Sequence, residues 1–436
     1  MKRQLNTTAG TLVVEETEDG LVHARGVHYG TAKRFAAPEL VSSWSGVVDA
    51  TRRGPACPQL PSRLDDVTGL VVAGLDFSED CLVLSVTAPA GAEGLPVMVW
   101  FHGGAYVSGS GESPKYDPDA LVTEGRVVVV NVSYRLGIFG YLTPEQAGDE
   151  SNLGLRDQIT ALRWVRQNIS AFGGDPENVT VFGQSAGGDS VQSLLLSEDT
   201  DGLFRRAIMQ SAPVGLREGR EKMTAAMRKA VTEALDTNPH DAEVDQLLAV
   251  QTAAATAAGR FGLPGGMPFS PILGRAPLPT AAQVTDRIAQ VAPRVELLIG
   301  YTKNDGSPFV AMNKRAAALG RLPLGGRAAI SALNHQATKR VFADPAQALA
   351  RTWNSSGGKA ATYRFDWAPE NAPLGAAHCI ELPLLFGTPA AWSDAPMLAD
   401  QQADPKLAVE VRRCWTGFAH RGIDALPSRS LLFGNA

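Results

Sequence analysis

The feature that most constrains this chain is Gly183-Gln184-Ser185-Ala186-Gly187, set between the apolar run Val179-Thr180-Val181-Phe182 and the helix-compatible stretch Gly188 to Leu196. A strand, a sharp turn and a helix in that order read as a nucleophile elbow. The turn holds the serine in strained backbone geometry and lifts its hydroxyl out at the top of a sheet. Glycines flank it because a Cβ there would crowd the neighbouring strand and helix. Glycine occurs 44 times in 436 residues, so the five-residue pattern alone is also compatible with a plain Gly-rich turn, and its surroundings must decide.

Those surroundings alternate strand-like and helix-like segments. Pro96 to Phe101 and Arg126 to Val132 are short, almost continuous apolar runs, which suit strands buried on both faces. Leu155 to Phe172 carries Ile159, Leu162, Val165 and Ile169 at helical spacing. Arg206 to Gln210, Val295 to Gly300 and Thr362 to Trp367 read as further strands, and a helix from about Leu407 to His420 closes the chain. Strands separated by helical crossovers predict an α/β fold with a doubly wound, mainly parallel central sheet. Residues 216–260 are rich in Ala, Glu, Lys and Arg with no strand-like run. They predict an all-helical insertion, either part of a cap over the site or an outer layer with no role in substrate access. Pro/Gly clusters at 262–279 and 323–327 mark loops. Length alone would allow two or three domains, but large α/β enzymes often run as one. The expectation is a single catalytic domain over 1–436 with the insertion at about 216–260.

Composition excludes several classes of partner. Hydrophobic residues make up 44% of the chain, ample for a large core, and the net charge is −5 with no block of like charge. Nothing points to nucleic acid or to an anionic membrane surface. Met1 to Thr8 lacks the apolar stretch of a signal peptide, and no window approaches 18 uninterrupted apolar residues. A soluble, cytoplasmic protein is expected, a monomer or small homo-oligomer acting on a small molecule. Cys57, Cys81, Cys379 and Cys414 show no C-x-x-C or Cys/His zinc spacing, so structural cysteines and no metal are expected.

Acyl transfer by a serine needs donors for the developing oxyanion, a base, and an acid to orient the base. Phe101-His102-Gly103-Gly104-Ala105-Tyr106 follows a strand and can turn successive amides toward the serine. The expected oxyanion hole is Gly103, Gly104 and Ala186, and losing one such donor typically costs about 3–4 kcal/mol of transition-state stabilisation. The base is one of seven histidines. His23 and His28 lie in an edge-like N-terminal segment, His240 in the insertion, His335 in a polar helical stretch and His420 near the end of the last helix. His102 reads as part of the oxyanion loop. His378 lies in a loop-like stretch shortly after the strand at 362–367, where late loops at strand C-terminal ends place such a base. Asp305, in the loop leaving the strand at 295–300, is the carboxylate best placed to accept from it. Asp305-Gly306 is also a common turn, and spacing leaves both readings open.

The order of further blocks resembles the type-B carboxylesterase and cholinesterase-like branch of the α/β-hydrolases. Arg34-Phe35 with Trp44, Cys57-Pro58-Gln59, Ser78-Glu79-Asp80-Cys81-Leu82-Val83-Leu84, His102-Gly103-Gly104, Asn131 to Gly137, Asn152 to Gln158, Phe172 to Pro176, Lys303 to Gly306 and His378-Cys379-Ile380-Glu381-Leu382-Pro383 follow that family's sequence of motifs. Agreement is dense from about 20 to 215 and patchy afterwards. The resemblance implies an α/β-hydrolase fold, a Ser185–Asp305–His378 triad and no cofactor, with Glu381 a structural neighbour of the histidine loop and not a second base. It implies a serine carboxylesterase working through an acyl-enzyme on small to medium, mostly neutral esters, with carbamates and anilides or amides as close variants. A non-catalytic binding module is the alternative from another class, and the intact serine, acid, histidine and oxyanion loop argue against it. Cys57 and Cys81 resemble a family disulfide, which a reducing cytoplasm would keep as thiols. Three departures stand out. Gln184 replaces a common Glu. Asp305 replaces the commoner Glu, one methylene longer, so its loop must sit closer to His378. Asp189 is an unusual acid in the helix after Ser185, either solvated or in touch with a polar substrate.

Overall fold

The computed structural model describes residues 1–217, 219–320, 322 and 325–434. Its centre is a path of eleven paired strands. In chain order they are β1 (Lys2–Thr7), β2 (Gly10–Glu16), β3 (Leu21–His28), β4 (Val83–Pro89), β5 (Leu95–Phe101), β6 (Val128–Val132), β7 (Gly174–Gln184), β8 (Arg206–Gln210), β9 (Glu296–Thr302), β10 (Ala360–Phe365) and β11 (Ser430–Phe433). Their spatial order is β1-β2-β3-β4-β6-β5-β7-β8-β9-β10-β11, with the short strand Val47–Asp49 paired to β2. Pairings from β1 through β4 to β6 are antiparallel. Every pairing from β6 to β11 is parallel. This is the α/β-hydrolase arrangement expected from the sequence.

The apolar runs read as strands because both faces of the sheet are covered. On β5, Val97, Val99 and Phe101 enter one core layer while Met98 and Trp100 enter the opposite one. β6 does the same, with Val128, Val130 and Val132 on one side and Val129 on the other. Burying each such side chain contributes about 1.5–3 kcal/mol, so the central strands read as nearly continuous apolar runs.

The helices that matter for the site are α1 (Leu153–Asn168), α2 (Ala186–Leu196), α3 (Glu221–Ala234), α4 (Val244–Ala258), α5 (Ser307–Met312) and α6 (Pro405–Arg421). α1 buries Leu155, Ile159, Leu162 and Val165 against the sheet. Arg135 and Asp157, from two of the motif blocks, form a buried bidentate pair with Nη2–Oδ1 2.7 Å and Nε–Oδ2 2.9 Å. It fixes the loop after β6 to α1. Among the described residues, no helix is long and apolar enough to cross a membrane.

Within 216–260, α3 and α4 are the helical pair. Met223, Met227 and Val231 of α3 and Leu247 and Ala254 of α4 share a cluster with Tyr106, Tyr134 and Ala186. The pair is thus seated on the loops at the C-terminal ends of β5, β6 and β7. Gln251 Oε1 accepts from the Ile138 amide at 2.9 Å, and a Cβ on Gly137, at φ 51°, would stand 1.8 Å from that oxygen. Arg34 holds the loop between the two helices. It donates to the carbonyls of Pro239 and His240 at 3.1 and 3.2 Å and to that of Ala242, while its other edge pairs with Glu79.

The chain departs from the expected pattern at two places. It does not close on α6, because β11 follows and pairs with β10; four residues, Ser-Leu-Leu-Phe, are too few to show a period. The 323–327 cluster is not wholly a loop. Gly326 opens a helix over Gly326–Thr338, and 323 and 324 lie outside the described residues.

Candidate active site

β7 delivers the chain to Ser185, whose φ of 57° and ψ of −122° immediately precede α2. Such a backbone conformation costs about 1–3 kcal/mol and persists only where its surroundings over-determine it. Here the Ser185 amide donates to the Gln210 carbonyl of β8 at 2.8 Å, and the Ser185 carbonyl accepts from the Asp189 amide at 2.9 Å. Close backbone packing dictates the elbow glycines. A Cβ on Gly187 would lie 1.9 Å from the Phe101 carbonyl oxygen, and one on Gly183 would lie 2.5 Å from the Gly187 carbonyl carbon.

The loop leaving β5 passes directly against the serine. A Cβ on Gly103 would stand 3.2 Å from Ser185 Cβ and 2.9 Å from the Gln184 carbonyl oxygen. Gly104 has φ 116°, where a Cβ would strike the Ser108 carbonyl at 2.0 Å. The amides of Gly103, Gly104 and Ala186 have no acceptor among the described residues, so three N–H groups beside Ser185 are free for an external oxygen. His102 splints this loop. Burial pushes its pKa down to about 4, so the neutral ring carries one proton, which Nδ1 donates to the Gly103 carbonyl at 2.7 Å. The ring stacks on Tyr134 at 4.5 Å, and the Tyr134 hydroxyl donates to the His102 carbonyl at 2.7 Å.

Asp305 and His378 are brought together. His378 Nδ1 lies 2.7 Å from Asp305 Oδ1, and both side chains are fully buried. Asp305 Oδ2 accepts from the Thr302 amide at 2.8 Å, which leaves the carboxylate one orientation. The two loops are stitched one residue before each group. Asn304 bridges Ala377, the Asn304 amide donates to the Ala376 carbonyl at 2.9 Å, and Asn304 Oδ1 accepts from the Ala376 amide at 3.1 Å. This stitch supplies the close approach that an aspartate needs in place of a glutamate. Phe309 of α5 stands edge-on to the imidazole at 5.1 Å, and Phe342 tilts against it at 5.3 Å.

The other nitrogen of His378 is capped. Its Nε2 lies 3.2 Å from Gln184 Nε2. With Nδ1–H assigned to the Asp305 bond, Nε2 holds the lone pair and accepts from the Gln184 amide. Ser185 Oγ has no hydrogen-bond partner among the described residues, and the residue is 6% exposed.

Two carboxylates near the site have structural surroundings. Asp189 is 1% exposed, which rules out the solvated reading. It accepts from Tyr106 Oη at 2.7 Å and from Arg217 Nη1 at 2.7 Å, and so ties the loop after β5 to α2. Glu381 is fully buried. Desolvation, followed by the nearby Asp305 charge, pushes its pKa up to about 8. Its Oε1 accepts a long bond from Gln210 Nε2 at 3.4 Å, and it makes no contact with Ser185.

A cavity of about 260 Å³ opens against Gly103, Gly104 and Gln184, with apolar walls from Leu60, Leu64, Val71 and Phe77. Sequence reasoning missed the Gln184 contact, the Phe309 and Phe342 flanks and the Tyr106–Asp189 tie. None of these leaves a local pattern, since each joins segments far apart in the chain.

Residues 6–322 match the sequence model of the Carboxylesterase family. The chain is 41% identical over 407 residues to a probable N-octanoylanthranilate hydrolase of Rhodococcus erythropolis, covering 91% of this chain and 88% of that one. It is 36% identical over 456 residues to the para-nitrobenzyl esterase of Bacillus subtilis, covering 97% and 91%. Among solved structures, a thermophilic PNB esterase superposes with a TM-score of 0.82 at 35% identity, over 97% of this chain and 92% of that one.

Proposed function

We propose a mechanism from one premise: the chain belongs to the carboxylesterase family and is a carboxylic-ester hydrolase. Ser185 is the nucleophile, His378 the general base and Asp305 the carboxylate that orients it. The observation that carries this reading is the convergence of the strained Ser185, three unengaged amides and the buried Asp305–His378 pair.

Ser185 Oγ attacks the ester carbonyl while His378 Nε2 takes its proton. Gln184 yields that nitrogen as the serine hydroxyl turns to it. Asp305 stabilises the imidazolium and holds Nδ1–H in place. The carbonyl oxygen, now an anion, sits among the amides of Gly103, Gly104 and Ala186, already aimed before reaction. His378 then protonates the leaving alcohol. Water, deprotonated by the same nitrogen, attacks the acyl-Ser185 ester, and collapse returns the proton to Oγ and releases the acid. Each proton transfer uses one nitrogen, and every step is carried by groups of this chain.

The seating of α3 and α4 on the loops around Ser185 supports a cap role within one catalytic domain. The apolar cavity supports small to medium, mostly neutral esters. N-acyl substrates are a second reading, favoured by the 41% identical relative named for N-octanoylanthranilate hydrolysis. A cytoplasmic location suits the free thiols of buried Cys57 and Cys81.

The test is release of p-nitrophenol from p-nitrophenyl acetate and butyrate by wild type and Ser185→Ala, with thermal unfolding of both as a folding check. The expected loss of kcat is about 10⁴-fold or more. Wild-type turnover in Ser185→Ala would remove Ser185 from the reaction.

A further inference from the structure

Among the described residues, Arg63 carries a charge with no carboxylate partner. It precedes the short helix Asp65–Thr68, on a loop whose Ser62 and Leu64 line the cavity against Gly103, Gly104 and Gln184. Its Cζ lies 5.6 Å from the centroid of Phe309, and Phe309 is the ring that stands edge-on to His378 at 5.1 Å. The cation and the imidazole therefore contact the same aromatic ring.

A guanidinium has five N–H donors. Among the described residues, the hydrogen bonding of Arg63 is one bond from Nη1 to the Gly266 carbonyl. The partly buried arginines are used differently. Arg34, Arg53, Arg135, Arg217, Arg287 and Arg412 each pair with a carboxylate, and Arg220 serves the three carbonyls of Leu216, Met267 and Pro268. The acid nearest to Arg63 in sequence, Asp65, has Asp66, Lys115 and Asp394 as its charged neighbours. The Arg63 side chain is open to solvent, yet surrounding protein desolvates its guanidinium enough to pull the pKa down. A desolvated cation without a counter-charge is costly, and a planar guanidinium over an aromatic face offers its free edge to a carboxylate in bidentate fashion.

We infer that Arg63 is a specificity residue that receives a substrate carboxylate, so that esters carrying a carboxylate on the leaving group are preferred over neutral isosteres. This deepens the ester-hydrolase reading and rests on it. The leaving-group side follows from position: His378 must protonate the departing oxygen, and Arg63 and His378 both meet the same ring, Phe309. An aryl leaving group in that space meets Phe309 with its ring and Arg63 with its carboxylate.

The test compares 2-, 3- and 4-acetoxybenzoate with the three matching acetoxybenzamides, which have the same shape and no charge. The full chain is assayed as wild type, Arg63→Met, Arg63→Lys and Ser185→Ala. The readout is the anionic-to-neutral ratio of kcat/KM for each positional isomer. For the best isomer, this ratio is expected to fall at least about tenfold in Arg63→Met, the loss of a charge-assisted bond, and to recover in part in Arg63→Lys. In wild type it is also expected to fall as NaCl rises from about 10 mM to about 500 mM, because screening weakens an exposed pair. This second readout needs no variant and stands even if Arg63→Met folds poorly. A ratio unchanged within twofold in Arg63→Met, or flat across the salt series, overturns the role of Arg63 while leaving ester hydrolysis intact. Neutral-ester turnover that persists in Ser185→Ala overturns the hydrolase mechanism itself, and the role of Arg63 with it.

Discussion

The Nε2 atoms of Gln184 and His378 lie 3.2 Å apart, so the residue immediately before Ser185, the proposed nucleophile, caps the nitrogen that the proposed mechanism uses as base. A neutral amide in that position donates to the unprotonated nitrogen of the imidazole. A carboxylate there would favour imidazolium, because an opposite charge within a few ångströms favours the protonated ring.

Gln184→Glu is therefore expected to raise the pKa of the acid limb of the kcat/KM profile by about one unit or more, with activity at alkaline pH less affected than activity near pH 6. The measurement is p-nitrophenyl acetate hydrolysis across pH for both proteins. An acid limb that stays in place would mean that residue 184 does not meet His378 in solution.

Asp189 joins two parts of the site through Tyr106 and Arg217. Asp189→Ala leaves the Arg217 guanidinium, only 10% exposed, without its carboxylate. Breaking one side of a buried pair costs about 3–5 kcal/mol, so the midpoint of urea unfolding should fall markedly while the slope is kept. A cost below about 1 kcal/mol is the usual range for an exposed pair and would show that this one is open to water.

Glu381 predicts a pH dependence of stability whose sign is unusual for a carboxyl group. Its folded pKa is about 8 against an ordinary value of 4.5. Between those two values the unfolded chain has released the proton and the folded chain keeps it. Stability is thus lost as pH rises through that window, by up to about 1.4 kcal/mol per pH unit. Glu381→Gln removes the titration, so its stability relative to wild type should increase from pH 5 to pH 8 and level off above. The comparison is thermal unfolding of both proteins across that range, and a difference independent of pH counts against a protonated Glu381.

The parallel half of the sheet was readable from sequence because strands covered on both faces carry a continuous apolar signal. β11 was not, since at a sheet edge it buries only Leu431 and Phe433 of its four residues. The elbow was readable because strand, turn and helix are contiguous. The pairing of Asp305 with His378 spans 73 residues, and the stitch at Asn304 and Ala377 that enables it has no local pattern. Asp305-Gly306 looks the same whether it merely turns the chain or holds a base. Asp189 was open to a solvated or a substrate-facing reading because its partner Arg217 lies 28 positions away, beyond any helical spacing rule.

The proposed nucleophile, acid and base follow three strands, β7, β9 and β10, in chain order. During synthesis, Ser185 leaves the ribosome almost two hundred residues before His378. At roughly 5–20 residues per second, that interval lasts on the order of ten seconds or more. Throughout it the serine is an ordinary alcohol with no base to activate it. The strand that pairs with the outer edge of β10, Ser430–Phe433, is translated later still. On the proposed mechanism, a ribosome-bound fragment ending before residue 378 has no base for Ser185 and is expected to be inert toward esters.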